Sequence, residues 1–288
     1  MESDPQKVGL DPAVVVQYLR LLGVPSQPPS LKALKELLSA QLTRIPFENV
    51  SKLYYKKRLG LTDLPPIQMY LDGAEKYRFG GTCYSNNFHF YCLLANLGYN
   101  AKLCAADMAT PDVHAVSMVS VDGAEYLADT GYAAPFLVPL SRDLKTDFIV
   151  ALGRDRYVLK PQDRNGCSRL ELHRGGVLKH GYLAKPAPRE IGDFRRVIDS
   201  SFRADATFLN SILLARFYPG RSLVIHNLTL IESCGELCDL RPLPNLDAAI
   251  AAIHKYFEIP QQIVAEAIGG LRELQDAWGD PFLGGREA

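Results

Sequence analysis

The chain has 288 residues, 47% hydrophobic and 22% charged, enough for a large core and, by length, for about two domains with a small third element. Lys plus Arg balances Asp plus Glu at 32 each, so no global field draws the chain to nucleic acid or to an anionic membrane. Met1 to Pro5 is polar and acidic with no apolar signal core, and no stretch nears the roughly 18 apolar residues of a membrane span, so a cytoplasmic protein is expected.

Asp11 and Pro12 read as an N-cap and first helical residue, followed by Val14, Val15, Tyr18, Leu19 and Leu22 at helical spacing up to Gly23. Ser30 caps a second helix through Leu42, which must stop before Ile45-Pro46 because the residue ahead of a proline leaves the helical region. The run from Ile45 to Val50 is then a loop in which Glu48 faces solvent or a nearby arginine. A further amphipathic segment lies within Tyr54 to Tyr77. Gly80 and Gly81 allow a sharp turn, and Thr82 caps a helix from Cys83 to Asn96. Cys83 therefore stands at the positive end of a helix, where free N–H groups favour the thiolate, the nucleophilic form of cysteine. A buried, inert thiol is the competing reading.

The pattern changes near Gly98. From Ala101 short alternating runs separated by turn residues predict strands of a barrel or sandwich, among them Phe148 to Leu152, Arg156 to Leu159 and Arg169 to His173. Asp122-Gly123 is a strong hairpin signal. A two-residue turn there pairs Val121 with Ala124 and, continued outward, Val116 with Asp129. His114 shares a face with Val116, so His114 and Asp129 are diagonal neighbours at roughly 7–8 Å between Cα atoms, within reach of a side-chain contact. The charged stretch Lys185 to Arg196 reads as a connection out of this region. Phe202 to Phe217 suits a helix and Ser222 to Ile231 a strand; Asp247 caps a helix ended by Pro260, and a last helix covers Gln262 to Trp278.

The six cysteines, at 83, 92, 104, 167, 234 and 238, are too sparse for a disulfide framework, and Cys234 and Cys238 read as flanking a hairpin turn rather than as zinc ligands. A helix-start thiol, an imidazole and a carboxylate that fixes the imidazole form a Cys-His-Asp set: Cys83, His114 and Asp129. His89 lies about 240° around the helix from Cys83 and is the poorer base. Cys92 and Cys104 sit among apolar neighbours and read as core.

With these residues in place the chain resembles the arylamine N-acetyltransferase family over nearly its whole length. The resemblance rests on Pro46-Phe47-Glu48-Asn49, Gly80-Gly81-Thr82-Cys83, His114 at a strand start, Asp129-Thr130-Gly131, and the stretch from Leu223 to Pro260. It implies an α+β fold with a cysteine-protease-like core: a helical N-terminal domain (1–97) carrying the nucleophile, a central β-barrel (98–203) carrying His114 and Asp129, and a C-terminal α/β lid (204–288). It further implies transfer of an acetyl, malonyl or propionyl group from acetyl-CoA or a related acyl-CoA to an arylamine or hydrazine, through an acyl-cysteine on Cys83 and without a metal, in xenobiotic metabolism. An amide synthase acting on a thioester-bound chain, and a non-catalytic member that only binds ligand, are the alternatives. One residue departs from the pattern: the family's arginine before Gly-Gly, a structural partner of the motif's glutamate, is replaced by Phe79, with Arg78 one position earlier.

Overall fold

The computed structural model describes residues 9–277; Met1 to Pro5 and Trp278 lie outside the described residues. The N-terminal helices form where their caps predict. Asp11 accepts the Ala13 N–H at the start of α1 (Pro12–Leu22), and the Ser30 hydroxyl accepts the Ala33 N–H at the start of α2 (Leu31–Arg44). The run expected to be a loop instead holds a two-residue strand, β1 (Phe47–Glu48), which pairs with a distant strand, and the first residue of α3 (Val50–Leu59); α4 (Ile67–Tyr77) and α5 (Cys83–Asn96) follow. The segment expected between Tyr54 and Tyr77 is thus the end of one helix and the whole of another. Gly60 in the left-handed region closes α3, and Pro65-Pro66 precedes α4. Tyr18, Leu34, Leu38, Leu71, Phe90 and Leu94 bury the facing sides of α1, α2, α4 and α5 in one cluster.

The central region is an eight-stranded antiparallel sheet in the order β5-β4-β3-β2-β9-β8-β7-β6. Its strands are β2 (Asn100–Asp107), β3 (His114–Val121), β4 (Ala124–Ala128), β5 (Leu140–Ser141), β6 (Phe148–Leu152), β7 (Asp155–Leu159), β8 (Ser168–Arg174) and β9 (Val177–Pro188). Met118 and Leu127 from one half meet Tyr157, Leu170 and Tyr182 from the other in a single core, so the sheet curls on itself as a half-barrel with β5 and β6 at its edges. Strand β9 takes the first residues of the charged stretch that begins at Lys185. Only beyond Pro188 does the chain leave the sheet, through a 3-10 turn (Ile191–Phe194) and the short helix α6 (Arg195–Ser200).

The C-terminal region corrects four expectations. Phe202 to Phe217 is not a helix: a 3-10 turn (Thr207–Leu209) leads into strand β10 (Leu213–Tyr218), whose first five residues, Arg216 among them, are all buried, and a short, mostly apolar run buried on both faces carries no period to distinguish the two states. Ser222 to Ile231 is a hairpin rather than one strand. Asn227, at φ 49°, turns the chain between β11 (Arg221–His226) and β12 (Thr229–Cys234), a conformation asparagine tolerates better than most residues. Strand β13 (Leu237–Pro242) completes the hairpin that Cys234 and Cys238 flank. Helix α7 (Leu246–Phe257) is capped by Asn245, which accepts the Ala248 N–H, while Asp247 lies in its first turn. The last helix, α8 (Gln261–Ile268), stops at Gly269-Gly270 instead of running on toward position 278.

Strand β1 joins the second sheet, ordered β1-β10-β11-β12-β13, with Phe47 opposite Ala215 and Glu48 opposite Leu214. The N-terminal helical region therefore contributes an edge to the C-terminal sheet. Both meet at the turn before Cys83.

Candidate active site

The Pro46-Phe47-Glu48-Asn49 run acts through hydrogen bonds to backbone. Glu48 accepts the Gly80 N–H at 2.9 Å and the Ser51 N–H at 2.8 Å, and its own N–H donates to Gly81 O at 3.0 Å. A side chain at position 80 would put its Cβ 1.9 Å from Pro46 O, so only glycine lets the two segments approach this closely. Asn49 donates to the carbonyls of Phe208 and Ser211 and accepts the Leu213 N–H at 2.9 Å, fixing the start of β10. Glu48 is thus neither solvated nor paired with arginine, contrary to both sequence readings. Arg78 caps α4 in the left-handed region, with its guanidinium 3.5 Å from Glu258. Phe79 is buried against Tyr54, Tyr55 and Tyr77. Burial raises the Glu48 pKa, and the Ser51 and Gly80 hydrogen bonds oppose that rise.

Cys83 is the first residue of α5, after Thr82, which occupies the cap position without a side-chain cap bond. The hairpin folds in the predicted register. Asp122 and Gly123 have φ of 51° and 77°, Val121 faces Ala124, and the ladder ends at Ser117 and Ala128, just short of the two site residues. His114 Nε2 lies 2.9 Å from Asp129 Oδ2, both groups buried. The Cys83 thiol donates to Val113 O at 3.9 Å and stands near enough to His114 to favour its charged form; with Nε2 engaged by the carboxylate, Nδ1 is the ring nitrogen left for the sulfur. Burial, the largest influence on His114, opposes its charged form, but Asp129 and Cys83 together outweigh it and raise the pKa to about 10. Asp129 is shifted the other way: burial pushes it up, and His114, Asn87 and the Gly131 N–H bring it below its ordinary value.

Asn87 is the site residue that sequence reasoning missed. One turn beyond Cys83, it donates to Asp129 Oδ1 at 2.9 Å and to Ala115 O at 2.6 Å, and accepts the Thr130 N–H at 2.7 Å. It joins the nucleophile's helix to the loop of the carboxylate. The only signal was its i+4 position on the face of Cys83. Gly131 closes the same junction, its N–H donating to Asp129 Oδ1 at 2.9 Å. The rings of Tyr132 and Tyr182 pack against His114 at centroid distances of 5.8 and 5.1 Å.

Cys83 opens on a cavity of about 300 Å³ whose walls include Lys52, Tyr55, Tyr84, Phe202 and Phe208. The Tyr84 hydroxyl donates to the Asp112 carbonyl, so the ring lines the cavity while its polar end is engaged elsewhere. Of the other cysteines, Cys92 and Cys104 are buried, and burial pushes their thiols up to about 12 and about 11. His89 Nε2 lies 3.0 Å from Pro65 O, and burial lowers its pKa to about 4. Among the described residues, no group of three or more His, Cys, Asp or Glu is placed to hold a metal ion, and no helix is long and apolar enough to cross a membrane.

Residues 30–263 match the family described as N-acetyltransferase. The chain belongs to the arylamine N-acetyltransferase family. It is accordingly an acyltransferase. Among its relatives, the proansamycin X synthase of Amycolatopsis mediterranei is 30% identical over 205 residues, covering 66% of this chain and 74% of that protein. The arylamine N-acetyltransferase structure from Nocardia farcinica superposes with a TM-score of 0.74 at 25% identity, over 93% of this chain and 99% of that one. The Mycobacterium marinum arylamine N-acetyltransferase, solved in complex with CoA, gives a TM-score of 0.72 at 21% identity, over 89% of this chain and 99% of that one.

Proposed function

We propose that this arylamine N-acetyltransferase family member moves an acetyl or related short acyl group from coenzyme A to an arylamine or hydrazine in the cytoplasm, through an acyl-cysteine on Cys83. The observation that carries the reading is the buried His114–Asp129 pair beside Cys83, whose thiol lines a cavity large enough for an acyl group and an aromatic ring. The three regions, 1–97, 98–203 and 204–288, supply the nucleophile, the base with its carboxylate, and the sheet that β1 joins.

The raised His114 pKa favours its imidazolium form, and the scheme starts from that imidazolium with the nucleophilic form of Cys83 at the helix start. Cys83 Sγ attacks the thioester carbonyl, the new S–C bond forms, and the CoA sulfur leaves with the proton held at His114 Nδ1. Neutral His114 then takes a proton from the amine as its nitrogen attacks the acyl-cysteine. The amide departs and Cys83 returns as the thiolate, restoring the starting pair. Asp129 keeps the proton at Nε2 and so aims Nδ1 at the sulfur through both steps. Backbone N–H groups at the start of α5 are our choice for the oxyanion donors.

The test is intact-mass spectrometry after mixing with acetyl-CoA in the absence of amine. One acyl group should appear on Cys83, be discharged as an amide by an added arylamine, and be absent from Cys83→Ser. Amine required before any CoA is released would refute the two-step scheme. A second reading, amide synthesis on a larger thioester-bound chain, is favoured by the relative named as a synthase. It would be selected by acylation from such a thioester and not from acetyl-CoA.

A further inference from the structure

The Cys83 cavity contains a charge that acetyl transfer does not use. Lys52, in the first turn of α3, is the one charged side chain among the described residues lining it. Its Nζ donates to Ser201 Oγ at 2.7 Å and sits 4.1 Å from the centroid of the Phe202 ring. Neither partner carries a negative charge, and no carboxylate among the described residues lies within ion-pairing distance of Lys52. Burial lowers its pKa to about 8, and nearby Lys56 acts in the same direction; only Cys83 opposes them. An ammonium in this setting has lost water and gained one hydroxyl and one ring face, which leaves donor capacity facing the cavity.

A ligand carboxylate would satisfy that capacity. Apart from Cys83, whose sulfur carries no charge once acylated, the remaining walls are apolar or aromatic with a few hydroxyls, so no fixed carboxylate in the cavity repels an anion or competes for Lys52. Lys52 and Cys83 line the same space, so such a carboxylate would belong to the small molecule being processed, not to the distant nucleotide end of CoA.

We propose that Lys52 selects a reactant bearing a carboxylate next to the reacting centre: an acyl group that is the half-thioester of a short dicarboxylic acid, or an aromatic amine with a ring carboxylate. This rests on the acyl-transfer reading of the site but is tested without turnover. Equilibrium binding is measured by calorimetry on full-length Cys83→Ala, with and without Lys52→Met, using two matched pairs. Malonyl-CoA against butyryl-CoA reports on the acyl group, and 4-aminobenzoate against 4-aminobenzamide on the amine. In one pair the ratio of carboxylated to neutral affinity should fall about 10- to 100-fold on losing Lys52, the range for a charge-assisted hydrogen bond. Lys52→Arg should retain most of it. Lys57→Met, on the exposed side of the same helix, should leave both ratios in place. The pair that responds identifies the source of the carboxylate. Unchanged ratios in both pairs would overturn the proposal. Failure of the wild-type chain to form an acyl-cysteine would instead remove the reaction scheme, with the binding ratios still deciding the role of Lys52.

Discussion

Gly131→Ala tests how closely the nucleophile's helix and the carboxylate's loop must fit. A Cβ at position 131 would lie 2.6 Å from Asn87 Nδ2, 2.6 Å from Cys83 O and 2.7 Å from Cys83 Cα. Ordinary contact begins at 3.4 Å, so the two segments must part by about 0.8 Å, the difference between 3.4 and 2.6. Two of the three obstructing atoms are backbone of the proposed nucleophile, so rotating a side chain cannot relieve the clash. Overpacking of this kind costs roughly 1–3 kcal/mol. Misplacement of reacting groups by about 1 Å costs on the order of 100-fold in rate. We therefore expect Gly131→Ala to fold with a lowered melting temperature and to acylate Cys83 about 100-fold more slowly, measured as CoA release in the first turnover without amine. Gly192→Ala, whose Cβ would meet nothing within 4 Å, should match wild type in both. An acylation rate for Gly131→Ala within about threefold of wild type would refute the claim that this junction sets the position of the thiol.

Asn87→Ala should lose roughly 1–3 kcal/mol in urea unfolding, because it strands the buried Thr130 N–H, and should slow acylation while leaving Cys83 in place; unchanged urea midpoints would contradict the bonding described here. Phe79→Ala should cost about 3–5 kcal/mol, since the ring is fully buried among three tyrosines; a loss below about 1 kcal/mol would show that the cluster collapses around the gap. The stability advantage of wild type over His114→Gln should depend on pH with a definite sign. The folded pKa of His114 is raised above its ordinary 6.5, so its contribution is complete below about pH 6.5 and lost as pH rises through about 10. Asp129 is lowered below its ordinary 3.8, so its contribution is present above that pH and lost on acidification through the folded value. Denaturation midpoints for the two proteins that converge toward acid between pH 6.5 and 5, rather than toward alkali, would reverse that assignment.

The parts of the fold legible in the sequence were those fixed by local chemistry. Caps at Asp11 and Ser30 and the Gly-Gly turn before Cys83 require particular residues at particular positions, and α1, α2 and α5 begin where those residues stand. The hairpin at Asp122-Gly123 went further. Its two-residue turn sets a register, and the register carries His114 to Asp129 although the ladder itself stops at Ser117 and Ala128. What failed was governed by tertiary contact. Leu213 to Phe217, apolar but for Arg216, is buried at every position and has no period to read; it is a strand because β1 pairs along one side and β11 along the other. Asn87 could not be found because its partners come from β3 and the Thr130 loop, distant in sequence.

Phe79 is the point at which family resemblance and structure have to be weighed against each other. The replacement of an arginine by phenylalanine beside a buried glutamate would leave an uncompensated charge if the glutamate depended on it, and such a loss is strongly destabilising. Here Glu48 accepts N–H groups from Gly80 and Ser51, and the position before Gly-Gly is turned instead into a cluster with Tyr54, Tyr55 and Tyr77. The turn that presents Cys83 is thus held by Glu48 through the backbone of Gly80 itself, a contact that does not depend on the side chain at position 79. Phe79 adds a packed aromatic cluster beside that contact, and the thiol stays at the helix start. Phe79 therefore gives no reason to read the chain as a member that has lost its chemistry, and the substitution with the greater bearing on what the site accepts is the one that can be made at Lys52.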